Sequence, residues 1–581
     1  MSGDRVDLVI RGGLVVDGSG SEAFEADVAI AGNRIVEVAK SGTRLNGREE
    51  IDARGHIVTP GFVDPHTHYD GQVTWDNRLG PSSGHGVTTA IMGNCGVGFA
   101  PCRADEHDIM IRLMEGVEDI PHPVLAAGLP WTWESFPEYL DALETLPHDI
   151  DFGAYVPHAP LRVYVMGERA LRHETATPDD HARMAQLLKQ GMAAGALGFG
   201  TSQTIIHRSS DGEPIPTLAA EEAEYMALAM ALKEAGAGLI QFVADWDETE
   251  AVFAMLERLV ERSGRPLTYT LAQSHTAPQR WRKQIAMTQA AVARGLNIKA
   301  QVIPRPVGML LSHALTLNPF YSTPTYGKLA NLPLAARIAE LRKPDVRAQI
   351  LSETNDADPR NKLGARVRNF ADLYPLADPP NYEPPANSSI LARASAMAIT
   401  PEELAYDLLL EDNGQAILLL AAANYAEKNL DFAVELIRHP DVVLGLGDGG
   451  AHLGTICDAS YTTFFLKEWP KQRNDGEVRM DLPGVVRHLS RKPAELVGLR
   501  DRGLLASGYK ADINVIDLDR LHLSRPEITN DLPAGGRRLF QRATGYAGTV
   551  VNGRIIQRDG EITDQLPGRL VRGAQADPAS R

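Results

Sequence analysis

Two histidines separated by one residue form the first pattern in this sequence that is typical of chemistry. His66 and His68 close the segment VTPGFVDPHTH. Alternate side chains of an extended segment point to the same side, so both imidazoles can reach one metal ion. An HxH pair alone is a weak signal because short motifs arise by chance, but this pair ends a predicted strand.

A lone cysteine and a carboxylate, each set among glycines, follow two later predicted strands. Cys95 lies in GNCG and Asp448 lies in GDGG. Unpaired cysteines are more often small buried hydrophobes, and Asp-Gly-Gly is also an ordinary turn. Beside two histidines, however, a thiolate favours zinc over magnesium or calcium. A carboxylate at the end of the last strand has the layout of a catalytic residue in a barrel.

Three further histidines are weaker candidates. His275 closes the run LTYTLAQSH and is either a metal ligand or a neighbour of a helix cap. His207, in the loop after the predicted fourth strand, is either a substrate contact or a solvated loop residue. His452, four residues after Asp448, is a candidate to orient that carboxylate or to contact substrate.

The elements that must position these residues alternate between short β-branched runs and Ala/Leu/Glu-rich helical runs. This pattern predicts an α/β fold, a TIM-like (β/α)8 barrel over residues 59–495, with its active site where the strands end. The segment 305–440 is too long for an ordinary connection and predicts a lid insertion. The predicted barrel strands are 57–58, 87–92, 152–156, 197–200, 238–243, 267–271, 297–303 and 442–446.

Both chain ends differ from this middle part, because they alternate as short strands separated by turn residues. Residues 1–58 and 496–565 therefore predict one small β-sandwich domain built from both termini. The last segment, residues 566–581, is predicted to be disordered.

Composition excludes several classes of protein. The 581 residues include 58 Lys and Arg against 75 Asp and Glu, a formal net charge of −17, which disfavours a nucleic-acid partner. The 44% hydrophobic and 23% charged content is that of a folded globular chain. Three cysteines, no signal peptide and no apolar run of membrane-spanning length predict a cytoplasmic protein without a membrane partner; a homo-oligomer is possible.

These segments together resemble the amidohydrolase superfamily and, more closely, the N-acyl-D-amino-acid deacylases, or D-aminoacylase family. The resemblance covers nearly the whole chain and includes VTPGFVDPHTH, GVTTAIMGNCG, GALGFGTS and GLLASGYKADINVID. It implies that His66, His68, Cys95 and His275 bind metal. It also implies that Asp448 is the catalytic aspartate and lies within reach of the metal.

Two positions depart from the pattern of the family. The deacylases have a metal-binding histidine at the end of strand 5, where this chain has QFVADWD; Asp245 is a possible oxygen ligand there, or the metal lies among the other ligands. The family also has an arginine shortly after the catalytic aspartate that holds the substrate carboxylate, and the residues just after Asp448, through Ala451-His452-Leu453-Gly454, include none. Arg305 is a candidate to supply that cation.

The resulting expectation is a zinc-dependent hydrolase, with one or two ions, that cleaves a linear amide of a small molecule, a C–N bond other than a peptide bond. Zinc lowers the pKa of bound water toward ~7, and Asp448 is expected to accept and return the proton. The alternatives are a cyclic amidase or deaminase of the same superfamily, or a barrel that has lost catalysis and serves as a scaffold.

Overall fold

Strands from both chain ends form one mixed sheet in the computed structural model, which describes residues 5–43, 45–353, 362–472 and 477–580. This terminal sheet has nine strands: Val6–Val15, Phe24–Ala31, Arg34–Lys40, Gly47–Asp52, Ile57–Pro60, Ile513–Ile516, Tyr546–Val551, Arg554–Arg558 and Glu561–Ile562. Strand Val6–Val15 pairs with Gly47–Asp52 along its first half and with Ile57–Pro60 along its second. The boundaries at residues 58 and 496 stay predictions.

The terminal sheet encloses its own apolar cluster. Ile51, from the N-terminal strands, lies in the same cluster as Val515 and Val550, from the C-terminal strands. All three side chains are nearly inaccessible to solvent. Alternation of apolar and polar residues along each strand turns one face inward, and burial of that face stabilises the pairing of strands from opposite chain ends.

The middle of the chain contains parallel strands in two sheets. The six-stranded sheet comprises Val156–Pro157, Gly198–Gln203, Leu239–Ala244, Leu267–Thr270, Ile298–Val302 and Val442–Leu444; the three-stranded sheet comprises Phe62–Asp64, Val87–Met92 and Asp151–Ala154. Helices alternate with these strands, so the predicted α/β character is confirmed. The strands are short and apolar because both of their faces are buried.

The first predicted strand of this layer was placed wrongly. Ile57–Pro60 pairs antiparallel with Ile513–Ile516 in the terminal sheet, and the strand that pairs with Val87–Met92 is Phe62–Asp64. The chain passes between the two sheets at Gly61. A Cβ at this position would lie 2.2 Å from Thr88 Oγ1. A side chain there would therefore push the chain away from the neighbouring strand Val87–Met92.

Helices pack against the parallel strands and include the predicted helix Pro178–Ala194. The Thr177 side chain caps its N-terminus together with Asp180, and Gly195 ends it in a left-handed conformation. The other helices before the insertion are His107–Glu118, His122–Gly128, Phe136–Glu144, His158–Met166, Glu168–Leu171, Glu222–Ala235, Thr249–Ser263 and Arg280–Ala293. Those after it are Tyr461–Glu468, Leu482–Leu489 and Arg491–Leu496.

No helix in the described ranges has the length and apolar character needed to cross a membrane.

The insertion has a sheet and a core of its own. Its strands Val307–Leu311, Leu373–Pro375 and Leu418–Ala423 form an antiparallel sheet. Its helices are Pro324–Leu329, Leu334–Leu341, Pro344–Ser352, Lys362–Val367, Ile390–Met397, Pro401–Leu409 and Asp431–Ile437. Leu310 N donates a hydrogen bond to Thr455 O at 2.7 Å, which ties the insertion to the loop that follows Asp448.

The segment after Gln565 is ordered up to residue 580, contrary to the prediction of disorder. Val571 N donates to Phe152 O at 2.7 Å, and Leu570 and Val571 are both less than a tenth exposed. Arg572 pairs with Asp141 at 2.7 Å. Burial of Leu570 and Val571 stabilises the packing of this otherwise mostly polar segment against the rest of the protein.

Two short hairpins complete the described structure. They pair His522–Leu523 with Ala543–Thr544, and Glu527–Leu532 with Gly536–Phe540.

Candidate functional site

Three potential metal ligands converge where two neighbouring parallel strands end. His66 and His68 follow Phe62–Asp64, and Cys95 follows Val87–Met92. One ligand atom from each residue lies within 4.8 Å of the others, and all three residues are buried. His66 Nε2 is 3.3 Å from Cys95 Sγ. Parallel pairing of the two strands brings their carboxyl ends, and therefore these side chains, to the same edge.

The backbone at Cys95 is held in an unusual conformation. Its φ is 55°, in the left-handed region that non-glycine residues rarely adopt. Cys95 N donates a 2.9 Å hydrogen bond to Oε1 of Gln241, on the strand Leu239–Ala244. Strain of this kind persists only where the surroundings determine it and is common at functional sites. Here it directs the sulfur toward His66.

Asp448 joins the three ligands from the loop after strand Val442–Leu444. Its Oδ1 lies 3.5 Å from His66 Nε2 and 3.6 Å from His68 Nε2. The loop runs against the histidine segment, since Asp448 N donates to His66 O at 3.2 Å and His68 N donates to Gly449 O at 2.7 Å. These backbone bonds fix the carboxylate between the two imidazoles.

Two residues hold the far sides of the imidazole rings. His66 Nδ1 donates a 2.8 Å hydrogen bond to Gln301 Oε1. The Nε2 lone pair of His66 is therefore left facing Cys95. His68 Nδ1 is 3.3 Å from Oε1 of Glu118, at the end of helix His107–Glu118. Carboxylate or carbonyl partners on the second ring nitrogen are typical of metal-binding histidines.

Burial and neighbouring charges set the protonation of these groups. Burial lowers the pKa of His66 to about 4, so its ring is neutral. Burial raises the pKa of the Cys95 thiol to about 12. Burial opposes ionisation of Asp448, but the close approach of the His68 and His66 imidazoles outweighs burial and holds the pKa of Asp448 well below its usual range. Asp448 is therefore an ionised carboxylate at neutral pH.

These donors fit a zinc ion. Imidazole nitrogen, cysteine sulfur and carboxylate oxygen are the three ligand types that bind zinc in proteins, and the cysteine favours zinc over magnesium or calcium. Within the described part of the chain, Asp448 Oδ1 is a buried atom without a hydrogen-bond partner, and it faces both Nε2 atoms. A cation at this point would also stabilise the thiolate form of Cys95 in a pocket that otherwise favours the neutral thiol.

Two of the weaker candidates lie beside the ligands. His452 Nε2 is 3.4 Å from Glu118 Oε2, so Glu118 contacts both His68 and His452. His207 Nδ1 is 2.9 Å from Ser202 Oγ. Burial, and then the nearby His452 and His68, lower the pKa of His207 to about 3. Its ring is therefore neutral and lies within the electrostatic reach of the site.

Two predicted site residues, His275 and Arg305, are placed elsewhere. His275 is not in the converging group found among the described residues, because its Nδ1 pairs with Asp372 Oδ2 at 2.7 Å. Arg305 is buried, with its guanidinium 2.8 Å from Asp458 and stacked over Tyr382. A guanidinium held in this way by core residues disfavours the predicted role of Arg305 in binding a substrate carboxylate.

Asp245, a possible replacement for the strand-5 histidine, holds a loop instead. Its carboxylate accepts hydrogen bonds from Thr204 Oγ1 at 2.6 Å and Ile205 N at 2.8 Å. The structure thus favours the alternative in which the metal lies among His66, His68, Cys95 and Asp448.

Sequence reasoning missed Gln241, Gln301 and Glu118. Both glutamines lie within buried strands. A buried amide needs a hydrogen-bond partner, so its position in a strand could have indicated a role beside the site. Glu118 lies on the apolar face of its helix with Ile111 and Met114, and an acid on such a face was a similar signal.

Parallel strands with an HxH pair, a cysteine and an aspartate at their carboxyl ends define the class of metal-dependent α/β hydrolases. Comparison with known proteins specifies the family. The model of the amidohydrolase family matches residues 49–557, and the chain belongs to that family. The resemblance found in the sequence is confirmed.

Individual relatives show the same relationship. D-aminoacylase of Alcaligenes xylosoxydans xylosoxydans is 30% identical over 294 residues, 50% of this chain and 55% of that protein. An uncharacterised protein of Mycobacterium tuberculosis is 27% identical and covers 99% of this chain and 97% of its own length.

The structure of N-acyl-D-glutamate deacylase from Bordetella bronchiseptica, complexed with zinc and a phosphonate inhibitor, shares the fold. It has a TM-score of 0.64 and 21% identity and covers 98% of this chain and 100% of that chain.

Proposed function

We propose that this chain is a zinc-dependent hydrolase that cleaves the linear amide of an N-acyl-D-amino acid. The observation that carries the proposal is the convergence of His66, His68 and Cys95 with the ionised Asp448 carboxylate 3.5 Å and 3.6 Å from the two imidazoles. The names of the related deacylases support the substrate class. His66, His68 and Cys95 would supply three zinc ligands with Asp448 within reach, and zinc held by three protein ligands keeps an open position for water.

We further propose that the eight parallel strands close into a barrel, with Val156–Pro157 continuing Asp151–Ala154. The hydrogen bonds that join the Asp448 loop to the His66 segment support closure between the last strand and the first. The insertion would then act as a lid, since it contacts the loop after Asp448 through Leu310 and Thr455.

The residues of the site perform the proton transfers of amide hydrolysis. Zinc, when bound, makes water acidic enough to ionise near neutral pH and polarises the substrate carbonyl. Asp448 accepts the proton of the attacking water, because its carboxylate is ionised and fixed between His66 and His68. Asp448 then donates this proton to the departing amine nitrogen, without which the amine is a poor leaving group.

His207 and His452 are the proposed substrate contacts. Both lie next to the ligands without joining the converging group, and each ring has a partner that fixes its orientation, Ser202 for His207 and Glu118 for His452. They are placed to hydrogen-bond the acyl or carboxylate oxygens of the substrate. A cytoplasmic location and a homo-oligomer stay predictions.

The metal content of the purified protein tests the ligand set. We expect about one zinc per chain, lost in Cys95→Ala, because this change removes one of the protein ligands that hold the ion. Cys102→Ala is the matched control, since Cys102 is also a buried free cysteine but lies outside the ligand group. His275→Ala is also expected to keep its zinc. A zinc content of Cys95→Ala equal to that of the wild type would contradict the proposed ligand set.

Turnover of N-acetyl amino acids tests the reaction. We expect wild-type protein to hydrolyse the D forms, and Asp448→Asn to reduce kcat by about 10²–10⁴-fold because the proton acceptor is lost. Asp245→Asn is the control carboxylate change and is expected to retain activity. Near-normal turnover by Asp448→Asn would overturn its role, and turnover of cyclic amides in place of linear ones would favour the cyclic amidase alternative.

A further inference from the structure

A large cavity lies at the opposite end of the parallel strands from the metal ligands. Its volume is about 970 Å³, and its wall includes Leu197, Leu239, Pro266 and Asn297, which lie at or just before the starts of strands. The final helices and the ordered segment after Gln565 complete the wall. Since the metal ligands follow the carboxyl ends of strands, this cavity is separate from the proposed active site.

Cations dominate the wall of this cavity although the whole chain has a net charge of −17. Two of these cations have acidic partners: Lys299 pairs with Asp441, and Arg491 pairs with Glu495 and Asp577. Four others have no carboxylate partner in the described part of the chain. These four are Arg265, Arg487, Lys492 and Arg500.

Repulsion by neighbouring cations acts on Lys492 and His488 in this wall. Burial, followed by the charges of Arg487 and Lys299, lowers the pKa of Lys492 to about 8. Lys492 Nζ lies 3.2 Å from His488 Nε2, and His488 is itself buried. Burial and the charges of Lys492 and Arg487 lower the pKa of His488 well below its usual value. Mutual repulsion within a partly buried cluster is unfavourable, and an anion placed among these groups would relieve it.

We propose that this basic cavity binds a small polyanion that carries two or more phosphate groups and has the size of a nucleotide. A single negative charge would leave most of the repulsion uncompensated. Arginine is suited to phosphate because its planar guanidinium donates paired hydrogen bonds, and three of the four unpaired cations are arginines. The volume falls at the upper end of the roughly 300–1,000 Å³ typical of small-molecule sites.

Isothermal titration calorimetry on the zinc-loaded full chain tests this proposal with ADP and with inorganic pyrophosphate. Arg487→Gln is the main variant, since Arg487 is exposed and its replacement leaves the core intact; Lys492→Gln is the second. We expect each to weaken binding about tenfold, the loss of one charge-assisted phosphate contact. The matched control is Lys189→Gln, which removes an exposed lysine paired with Glu234 outside the cavity.

Two comparisons make the result decisive. Equal affinity for ADP and pyrophosphate identifies the phosphates as the recognised group, and tighter ADP binding adds a nucleoside contact; both support the proposal. Binding that disappears in Cys95→Ala would place the phosphates on the metal and overturn it. The proposal also fails if neither anion binds, or if Arg487→Gln and Lys189→Gln weaken binding equally.

Discussion

At the scale of single residues, three of the four proposed metal ligands are each held by a second side chain. Gln301 holds His66, Gln241 holds the backbone of Cys95, and Glu118 holds His68. Such partners fix the direction of the ligand lone pairs before the metal binds, which reduces the entropy lost on binding. Glu118 has the largest role because it also contacts His452.

Replacement of Glu118 tests this supporting role. We expect Glu118→Gln to weaken zinc binding about 10–100-fold, because a neutral amide is a poorer acceptor for the His68 Nδ1 proton. Competition with a chromophoric chelator measures the zinc affinity independently of turnover. Glu115→Gln on the same helix is the control, since Glu115 accepts from His122 N and lies outside the ligand group. An unchanged zinc affinity in Glu118→Gln would show that Glu118 does not support His68 as a ligand.

At the scale of elements, the loops that follow the parallel strands contain the candidate site residues. A buried ion pair stabilises the segment that follows Asp448. Arg305, at the start of the insertion, contacts Asp458 and the carbonyl of Cys457, in the segment that follows the Asp448 loop. Ser460 Oγ also accepts from it at 3.1 Å. This contact fixes the insertion to the last strand of the parallel layer, so it belongs to the support of the site.

The structural role of Arg305 predicts a loss of stability. We expect Arg305→Met to destabilise the protein by roughly 3–5 kcal/mol, because the Asp458 carboxylate is left buried and unpaired. Thermal unfolding measures the effect as a lower Tm. The double variant Arg305→Met/Asp458→Leu is expected to regain much of that Tm, since neither charge remains. A folded Arg305→Met protein with normal Tm and a raised KM would instead favour the substrate role.

At the scale of the whole molecule, several histidines far from the ligands are buried as neutral rings. His85 is fully buried, with Nδ1 2.8 Å from Thr463 Oγ1 and Nε2 2.9 Å from Gln541 O. It thereby joins the segment after the metal-ligand histidines to a late helix and to the C-terminal hairpins. Burial lowers the pKa of His85 to about 4.

This neutral histidine predicts acid sensitivity. The unfolded chain binds a proton at His85 near pH 6.5, whereas the folded chain binds it only near pH 4. The stability from neutral His85 is therefore complete above about pH 6.5 and is lost as pH falls toward 4, by up to about 3 kcal/mol.

Tm measured from pH 7.5 to 4.5 is the readout. We expect the fall in Tm to be smaller in His85→Gln than in wild type, and unchanged in the control His122→Gln, an exposed histidine. Equal falls in wild type and His85→Gln would contradict the prediction.

The amino-acid sequence alone identified the four candidate ligands and predicted the α/β character. Cys95 and Asp448 follow predicted strands closely, and His66 and His68 lie on an extended segment that enters the barrel, so the rule that parallel strands share a carboxyl edge was enough to group them although the first strand was misplaced. The strand at 87–92 and the helix at 178–194 followed from apolar periodicity and capping residues in the same way.

Only the tertiary structure decided which distant residues meet. His275 and Arg305 carry suitable side chains, but packing pairs them with Asp372 and Asp458. Packing likewise brings Gln301 and Glu118 to the ligands. The physical reason is that a local pattern sets the direction of a side chain within its own element. The contact that satisfies a buried polar group depends instead on elements far away in the chain.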